Sequence, residues 1–457
     1  MRKPVAPLFR VVVSAIRAIL LLLAGAVVSD LCRQSYRGGG NIRFSRQYVQ
    51  REIQAKVLGA QNPFGGKSLS NFSRVACVGV DSDSVETACW YQNICYQRSS
   101  KKIIFYAPGQ VGTSLPATLP TKPVQISSQG DRAFLPDVRF EPVPSVTNII
   151  RLHTVHVLWH HWASMNLGHL IWEDFVGIWT SLSIFGDYPG STNFMVLTKD
   201  FECDAHCLRL SNEILEALGG KVHGPAELYF EAEASSNNVQ HVCFDLIGGA
   251  LTKAFVGSEV RSRHFGRETL LYSLRDHLLL QMGVDPRLPA RTHHIVITNK
   301  TNSEFTNSAA NNHRAIVNIA EIDQILRQQY PLVKVSVVEW HTLSLKQNLQ
   351  LLSTVTVLIT PCGGVSTLLP FLPVGSHALV MDYLNLDAHS HFGGNVGDSM
   401  HMEGMLWDHL WHIRVDYYTV HNGSDFVFDF PGATDTRNDA SIVVKPDRIK
   451  AMVSWYC

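Results

Sequence analysis

The chain has 457 residues, 46% of them apolar and 17% charged, with Lys plus Arg and Asp plus Glu balanced at 39 each. That length accommodates two or three folded domains, and the apolar fraction excludes a chain that is disordered throughout. A formal net charge of +0 excludes global attraction to nucleic acid or an anionic membrane, so no nucleic-acid partner is expected and an anionic ligand needs a local basic site.

In chain order, residues 1–10 carry Arg2, Lys3 and Arg10 and read as a short cytoplasmic tail. Residues 11–28 are apolar apart from Ser14, Arg17 and Gly25, close to the roughly 20 residues that span a bilayer. They predict a signal-anchor transmembrane helix; a cleaved signal peptide is the alternative, because small residues follow a short apolar run at Ala24–Ala26. Either way the remainder enters the secretory lumen, and the anchor reading predicts a single-pass type II protein of the Golgi or endoplasmic reticulum. Residues 29–74, with Gly38–Gly40, Asn62-Pro63 and Gly65-Gly66, read as a lumenal stem. The sequons at Asn71, Asn299 and Asn422 agree with a lumenal chain.

A folded unit is expected over 75–245. Cys77, Cys89 and Cys95 crowd one region and Cys203, Cys207 and Cys243 another, so disulfides are expected in an oxidising compartment. Zinc is the rival reading, but no pair has CxxC spacing. Asp81-Ser-Asp83 has the form of a metal-binding carboxylate pair, yet its serine-rich surroundings read as a turn, and no metal is expected. The proline-rich stretch 108–144 predicts a surface loop. In HHWASMNLGHLIWEDFVGIW, from His160, helical spacing puts His169 and Glu173 on one face, with Asp174 beside them, so a carboxylate orients an imidazole.

Over 246–457 strand-like and helix-like runs alternate. Strands are expected at His294–Thr298, Val333–Trp340, Val355–Thr360 and Ala378–Asp382, with helices at Ala315–Gln329, Leu343–Ser353 and Val365–Phe371. This alternation predicts a parallel sheet with right-handed crossovers, which binds ligands beyond the carboxyl ends of its strands. Asn299-Lys300, Glu339-Trp340, Thr360 to Gly364 and Asp382-Tyr383 fall at those ends and should converge on one rim. Gly363 and Gly364 allow close backbone approach ahead of a helix start, which suits a diphosphate; a plain strand-to-helix turn is the competing reading. The segment 384–406 shows no periodicity. No H-E-x-x-H helix and no G-x-S-x-G elbow occurs, which counts against metalloprotease and α/β-hydrolase chemistry.

Residues 293–383 resemble the sugar-nucleotide half of glycosyltransferase family 61, also called DUF563. The likeness rests on Ile295 to Lys300, on Arg314, Asn318 and Glu321 in an Arg-x-x-x-Asn-x-x-Glu spacing, on Val337 to Trp340, and on the glycine turn leading to Leu369-Pro-Phe-Leu-Pro-Val-Gly375. Asn166-x-x-His169 followed by an acidic residue, and Asn93-Ile-Cys95-Tyr96, are further points of similarity. Where typical members have His-Gly-Ala-Gly, this chain has Cys362-Gly363-Gly364-Val365. The resemblance implies an α/β chain of GT-B-like form, two Rossmann-like domains facing across a cleft: an acceptor domain over 75–245, and a nucleotide-sugar domain over 246–457 whose C-terminal tail returns to the first. It implies inverting transfer from a UDP-sugar co-substrate to a glycan or glycoprotein hydroxyl, without a cofactor. On this reading His169, Glu173 and Asp174 are catalytic, and Asn166, Lys300, Arg314, Glu339, Cys362, Gly363, Gly364 and Thr367 bind substrate. The altered histidine turn keeps a second function class open, a catalytically silent relative that binds glycans or proteins.

Overall fold

The computed structural model describes residues 71–78, 88–110, 119–120, 123–126, 133–160, 167–185, 194–198, 205–250, 268–300, 315–382, 410–420, 423–433 and 440–454. The expected membrane segment 11–28, the stem up to residue 70 and Asp81-Ser-Asp83 lie outside them. Among the described residues no helix is long and apolar enough to cross a membrane.

Strands β1 (Arg74–Val78), β2 (Ala88–Gln92), β3 (Ile94–Gln97) and β4 (Lys102–Tyr106) begin the fold. The short strands β5 (Val124–Gln125), β6 (Ala133–Phe134) and β7 (Asp137–Arg139) follow, inside the proline-rich stretch expected to be loop. Next come β8 (Ile149–Trp159), β9 (Phe194–Thr198), β10 (Gly220–Pro225) and β11 (His241–Gly249). All of these except the β5–β6 hairpin belong to one nine-stranded sheet with the path β10-β9-β8-β11-β3-β4-β7. Its β10-β9-β8-β11 core is parallel. Taken in chain order those four strands run 3-2-1-4, a doubly wound arrangement whose direction reverses between β8 and β11. Helices Ala205–Leu218 and Ala226–Ser236 supply two of the crossovers.

The crossover from β8 to β9 is different. Leu167–His169 starts as α-helix, Leu170–Phe175 widens to a π-helix, and Val176–Phe185 continues as α-helix, the Val176 N–H donating to Ile171 O. Every residue from Leu170 to Phe175 is buried, Glu173 and Asp174 included. A helix apolar on all sides belongs inside a structure. A π segment within an α-helix frequently marks a functional site.

The second sheet is parallel throughout, in the order β13-β12-β14-β15-β16. Its strands are β12 (His294–Thr298), β13 (Lys334–Val338), β14 (Val357–Pro361), β15 (His377–Asp382) and β16 (Arg414–Thr419). The first four match the expected positions. Strand β16 and the hairpin of β17 (Phe426–Phe428) and β18 (Ala440–Ile442) were not anticipated, since they follow a stretch without periodicity. Helix Leu345–Leu352 starts at a capping box in which Ser344 Oγ accepts from Gln347 N–H and Gln347 Oε1 accepts from Ser344 N–H.

Two expectations are corrected here. The helix expected from Ala315 begins only at Ile319. Residues 315–317 pair instead with β18, Val317 N–H donating to Ile442 O (2.9 Å) and Ile442 N–H to Ala315 O (2.8 Å). β-Branched Ile316 and Val317 suit that extended pairing. The C-terminal tail, expected to return to the first domain, packs its helix Pro446–Ser454 against Ile319–Gln329 of the second half. Asn318 secures this: its Nδ2 donates to Glu321 Oε2 and Val444 O, and its Oδ1 accepts from Val444 N–H. The Asn318-x-x-Glu321 spacing therefore binds the tail.

One hydrophobic cluster runs from Trp90 and Trp159 through Trp172, Phe175 and Trp179 to Ile295, Ile297 and Leu358, so the sheets share a core. Gly248 is needed in it, because a Cβ there would come within 2.5 Å of the Trp90 ring. A second cluster, including Tyr91, Phe105, Phe230 and Phe244, packs separately from the first. Two disulfides tie the first sheet, Cys77–Cys89 within the first cysteine group and Cys95–Cys243 between the two groups.

Candidate active site

Parallel register places the carboxyl ends of the second sheet together: Thr298 pairs with Val338, Pro361 with Met381 and Asp382 with Thr419. Strand β12 is followed by β13 on one side and β14 on the other, so the topological switch point lies between β12 and β14, where such sheets bind ligands. Asn299 and Lys300 leave β12 there; Cys362 and Gly363 leave β14. The convergence expected from sequence is present for these residues and for Glu339.

At the rim Asn299 N–H donates to Val338 O (2.8 Å), and its side-chain amide to Glu339 Oε1 (2.7 Å). The Trp340 indole donates to Thr298 Oγ1 (3.1 Å). Glu339 is half-buried, and its bond to Asn299 fixes its carboxylate at the end of β12. Gly363 has φ of 108°, a conformation that L side chains avoid, so this glycine is required by the turn. Ser366 Oγ donates to Gly363 O (2.7 Å) and Thr367 Oγ1 to Gly364 O. Thr367 is thus buried in the turn's own structure, and Cys362 is buried and outside both disulfides. The α-helix expected over Val365–Phe371 is a 3-10 helix, Gly364–Phe371. Asn166 and Arg314 lie outside the described residues.

The π segment presents the other group of candidates. His169 Nδ1 lies 3.0 Å from Glu173 Oε2, with side-chain exposures of 22% and 8%. The contact has an ion-pair distance and not the geometry of a hydrogen bond, so what the buried carboxylate supplies is a countercharge when the imidazole is protonated. Asp174 is 1% exposed. This helix docks on the glycine turn: its first turn, Leu167–His169, packs against Gly364–Phe371. The Trp172 indole donates to Thr367 O (2.8 Å), and its ring lies 5.5 Å from that of Phe371. The two sequence-predicted groups, one from each sheet, therefore meet.

Helix Glu268–Gln281 completes the junction and was not anticipated. Its Ser273 Oγ accepts from the Trp179 indole (2.8 Å) on the first-sheet side. On the other side Arg275, 3% exposed, donates to Pro370 O and to Leu372 O (3.0 Å). His412 bridges Tyr272 Oη (2.7 Å) and Leu372 O (3.2 Å), and burial pushes its pKa down to about 3. Glu213 Oε2 accepts from Leu345 N–H (2.6 Å), another bond between the halves. Among the described residues no three His, Cys, Asp or Glu side chains are grouped to hold a metal ion.

A carboxylate-backed histidine set against a glycine turn at a switch point is suited to proton transfer beside a bound anion. Residues 159–379 match the family model Glycosyltransferase 61. That stretch is a glycosyltransferase family 61 domain, which makes the chain a glycosyltransferase. No curated relative matches it. The matched region opens at the end of β8 and closes within β15, so this family 61 domain contains the π-helix, the linking helix Glu268–Gln281 and the glycine turn. The Asn93-Ile-Cys95-Tyr96 element lies before it and is structural. Cys95 is in a disulfide, and Asn93, at φ 55°, accepts from Arg151 (2.7 Å) in a turn.

Proposed function

We propose that this family 61 enzyme moves a sugar, with inversion, from a UDP-sugar to a hydroxyl of a glycan or glycoprotein. It would work as two GT-B-type lobes over 75–245 and 246–457, anchored in a Golgi or endoplasmic reticulum membrane by residues 11–28. The observation that carries the reading is the Trp172 to Thr367 bond, which sets the His169–Glu173 pair against the turn at the β12/β14 switch point.

His169 Nε2 takes the acceptor proton while Glu173 stabilises the imidazolium through Nδ1. The acceptor oxygen forms its bond to the anomeric carbon on the face opposite the diphosphate, and the pair of the breaking C–O bond leaves with UDP. Lys300, Arg314 and the backbone amides at Gly363 and Gly364 carry the charge that develops on the diphosphate, with no metal. Glu339 holds the ribose and Asn166 the acceptor. Cys362 takes the place of the histidine of relatives and shapes the turn from behind, with Thr367.

The test is thermal unfolding of the lumenal region with UDP-xylose, UDP-N-acetylglucosamine, UDP-glucose, UDP-galactose and UDP-arabinose, followed by assay for released UDP. At least one sugar nucleotide should raise the midpoint, and Arg314→Ala should abolish the rise, since a ligand stabilises the native state in proportion to its affinity. If none of the five shifts wild type, the transfer reading fails in favour of a silent binding protein.

A further inference from the structure

In a 3-10 helix each N–H bonds the carbonyl three residues earlier. The run Gly364–Phe371 breaks that ladder at Pro370, which has no N–H for Thr367 O. The run ends just beyond, where Leu372 is extended at φ −63° and ψ 151°, so the ladder offers Pro370 O no donor either. Both carbonyls are nevertheless satisfied, and both from elsewhere in the fold: Trp172 Nε1 donates to Thr367 O at 2.8 Å and Arg275 Nε to Pro370 O. Trp172 is 0% and Arg275 3% exposed, so water is no substitute at either joint. Pro370 and the end of the run thus leave two carbonyls as docking points for side chains of two other helices.

Trp172 sits inside the π segment, between His169 and Glu173. A π segment that relaxes to α-helix turns the flanking residues by about 100°, the rotation of one residue. Whatever holds the π register therefore holds the aim of His169 and Glu173. We propose that Trp172 is a positioning residue: by supplying the donor that Pro370 removes, its indole locks the π register and fixes the His169–Glu173 pair against the glycine turn. The catalytic half of this inference rests on the reading of that pair as the proton acceptor.

The test is a mutant cycle. Trp172→Phe keeps an aromatic ring beside Phe371, 5.5 Å away in the native protein, but has no N–H. It should lower both the thermal midpoint and kcat, the latter about ten- to a hundredfold, as small misplacements of reacting groups do. The donor KM should stay within about twofold, because the donor contacts lie on the second sheet. Adding Pro370→Ala gives Thr367 O an intrahelical N–H. The double variant should recover the midpoint of Pro370→Ala alone and yet keep the kcat defect, and hydrogen exchange of the 170–175 amides should stay faster than in wild type. A kcat that recovers with the midpoint, or exchange over 170–175 equal to wild type in both variants, would show that Trp172 only packs and would overturn the proposal. If wild type releases no UDP from any of the five sugar nucleotides, the transfer reading fails separately. The exchange measurement then still decides whether Trp172 sets the register.

Discussion

The nine-stranded sheet is pinned by covalent bonds, Cys77–Cys89 and Cys95–Cys243, whereas the five-stranded sheet has neutral histidines at its strand starts, one of them bonded to the neighbouring strand. His294 opens β12, with Nδ1 at 2.9 Å from Thr354 Oγ1 and Nε2 at 3.0 Å from Ser336 Oγ. His377 opens β15, and His412 lies just before β16. The contrast follows from topology. The first sheet adds β2 and β3, early in the chain, beside β11, which comes far later, so it closes long loops at high entropic cost. The second sheet pairs strands that lie nearer in sequence, its widest pairing being that of β12 with β14 across the switch point, so local bonds suffice. On the proposed mechanism chemistry divides along the same line, with the proton acceptor on the first sheet's helix and the anion contacts on the second sheet's rim.

The largest expected effect breaks that division of labour. His169→Ala should lower kcat about a hundred- to ten-thousandfold, the usual contribution of a positioned acid or base, while calorimetry shows UDP binding unchanged. Lys300→Ala should do the reverse and weaken UDP binding first; equal loss of binding in both variants would mean that the two halves do not divide the work.

Next in size are the disulfides. Replacing Cys95 and Cys243 by Ser should cost about 2–5 kcal/mol in urea unfolding. That bond closes a separation of 148 residues against 12 for Cys77–Cys89, so the chain-entropy account makes it the more costly to lose. Hydrogen exchange should quicken over β3 and β11 before the second sheet; the opposite order would refute covalent pinning of the first.

Gly363→Ala places a side chain in a glycine-only conformation and should destabilise by about 1–3 kcal/mol, with exchange rising first around 361–367. A neutral result would mean that the turn relaxes to another shape.

The mildest effect is acid sensitivity. Burial lowers His294 to about 4 and His412 to about 3, from 6.5, and lowers His377 as well. A histidine whose folded pKa is depressed takes up its proton more readily in the unfolded chain. Its contribution is therefore complete above pH 6.5 and is lost as pH falls towards 4 and 3. Urea midpoints should decline through that window, and His412→Gln should flatten the decline. His241, at the start of β11, is lowered too, so the first sheet shares the effect to a smaller extent.

The four expected strands of the second half were legible because each is a short apolar run between turn signals, and β14 is buried along its whole length. The glycine turn and the helical neighbours His169 and Glu173 were legible for the same reason, since i, i+4 spacing and Gly-Gly act locally. The π register was not: hydrophobicity reads the same at 3.6 and at wider periods over six residues. Arg275 and His412 gave no signal because their partners are backbone carbonyls, which have no side-chain identity. Pro370 was visible, but its meaning depends on which helix arrives to donate.

By itself, then, the amino-acid sequence determined the alternating elements of the second half, the residues at their carboxyl ends and the family likeness, because those depend on neighbours along the chain. Only the tertiary structure decided that Cys95 bonds Cys243, that the tail closes on Asn318, and that Trp172 carries the His169–Glu173 pair to the glycine turn. Each of those joins groups far apart in sequence, and what selects them is the requirement that buried polar groups find partners within a shared core.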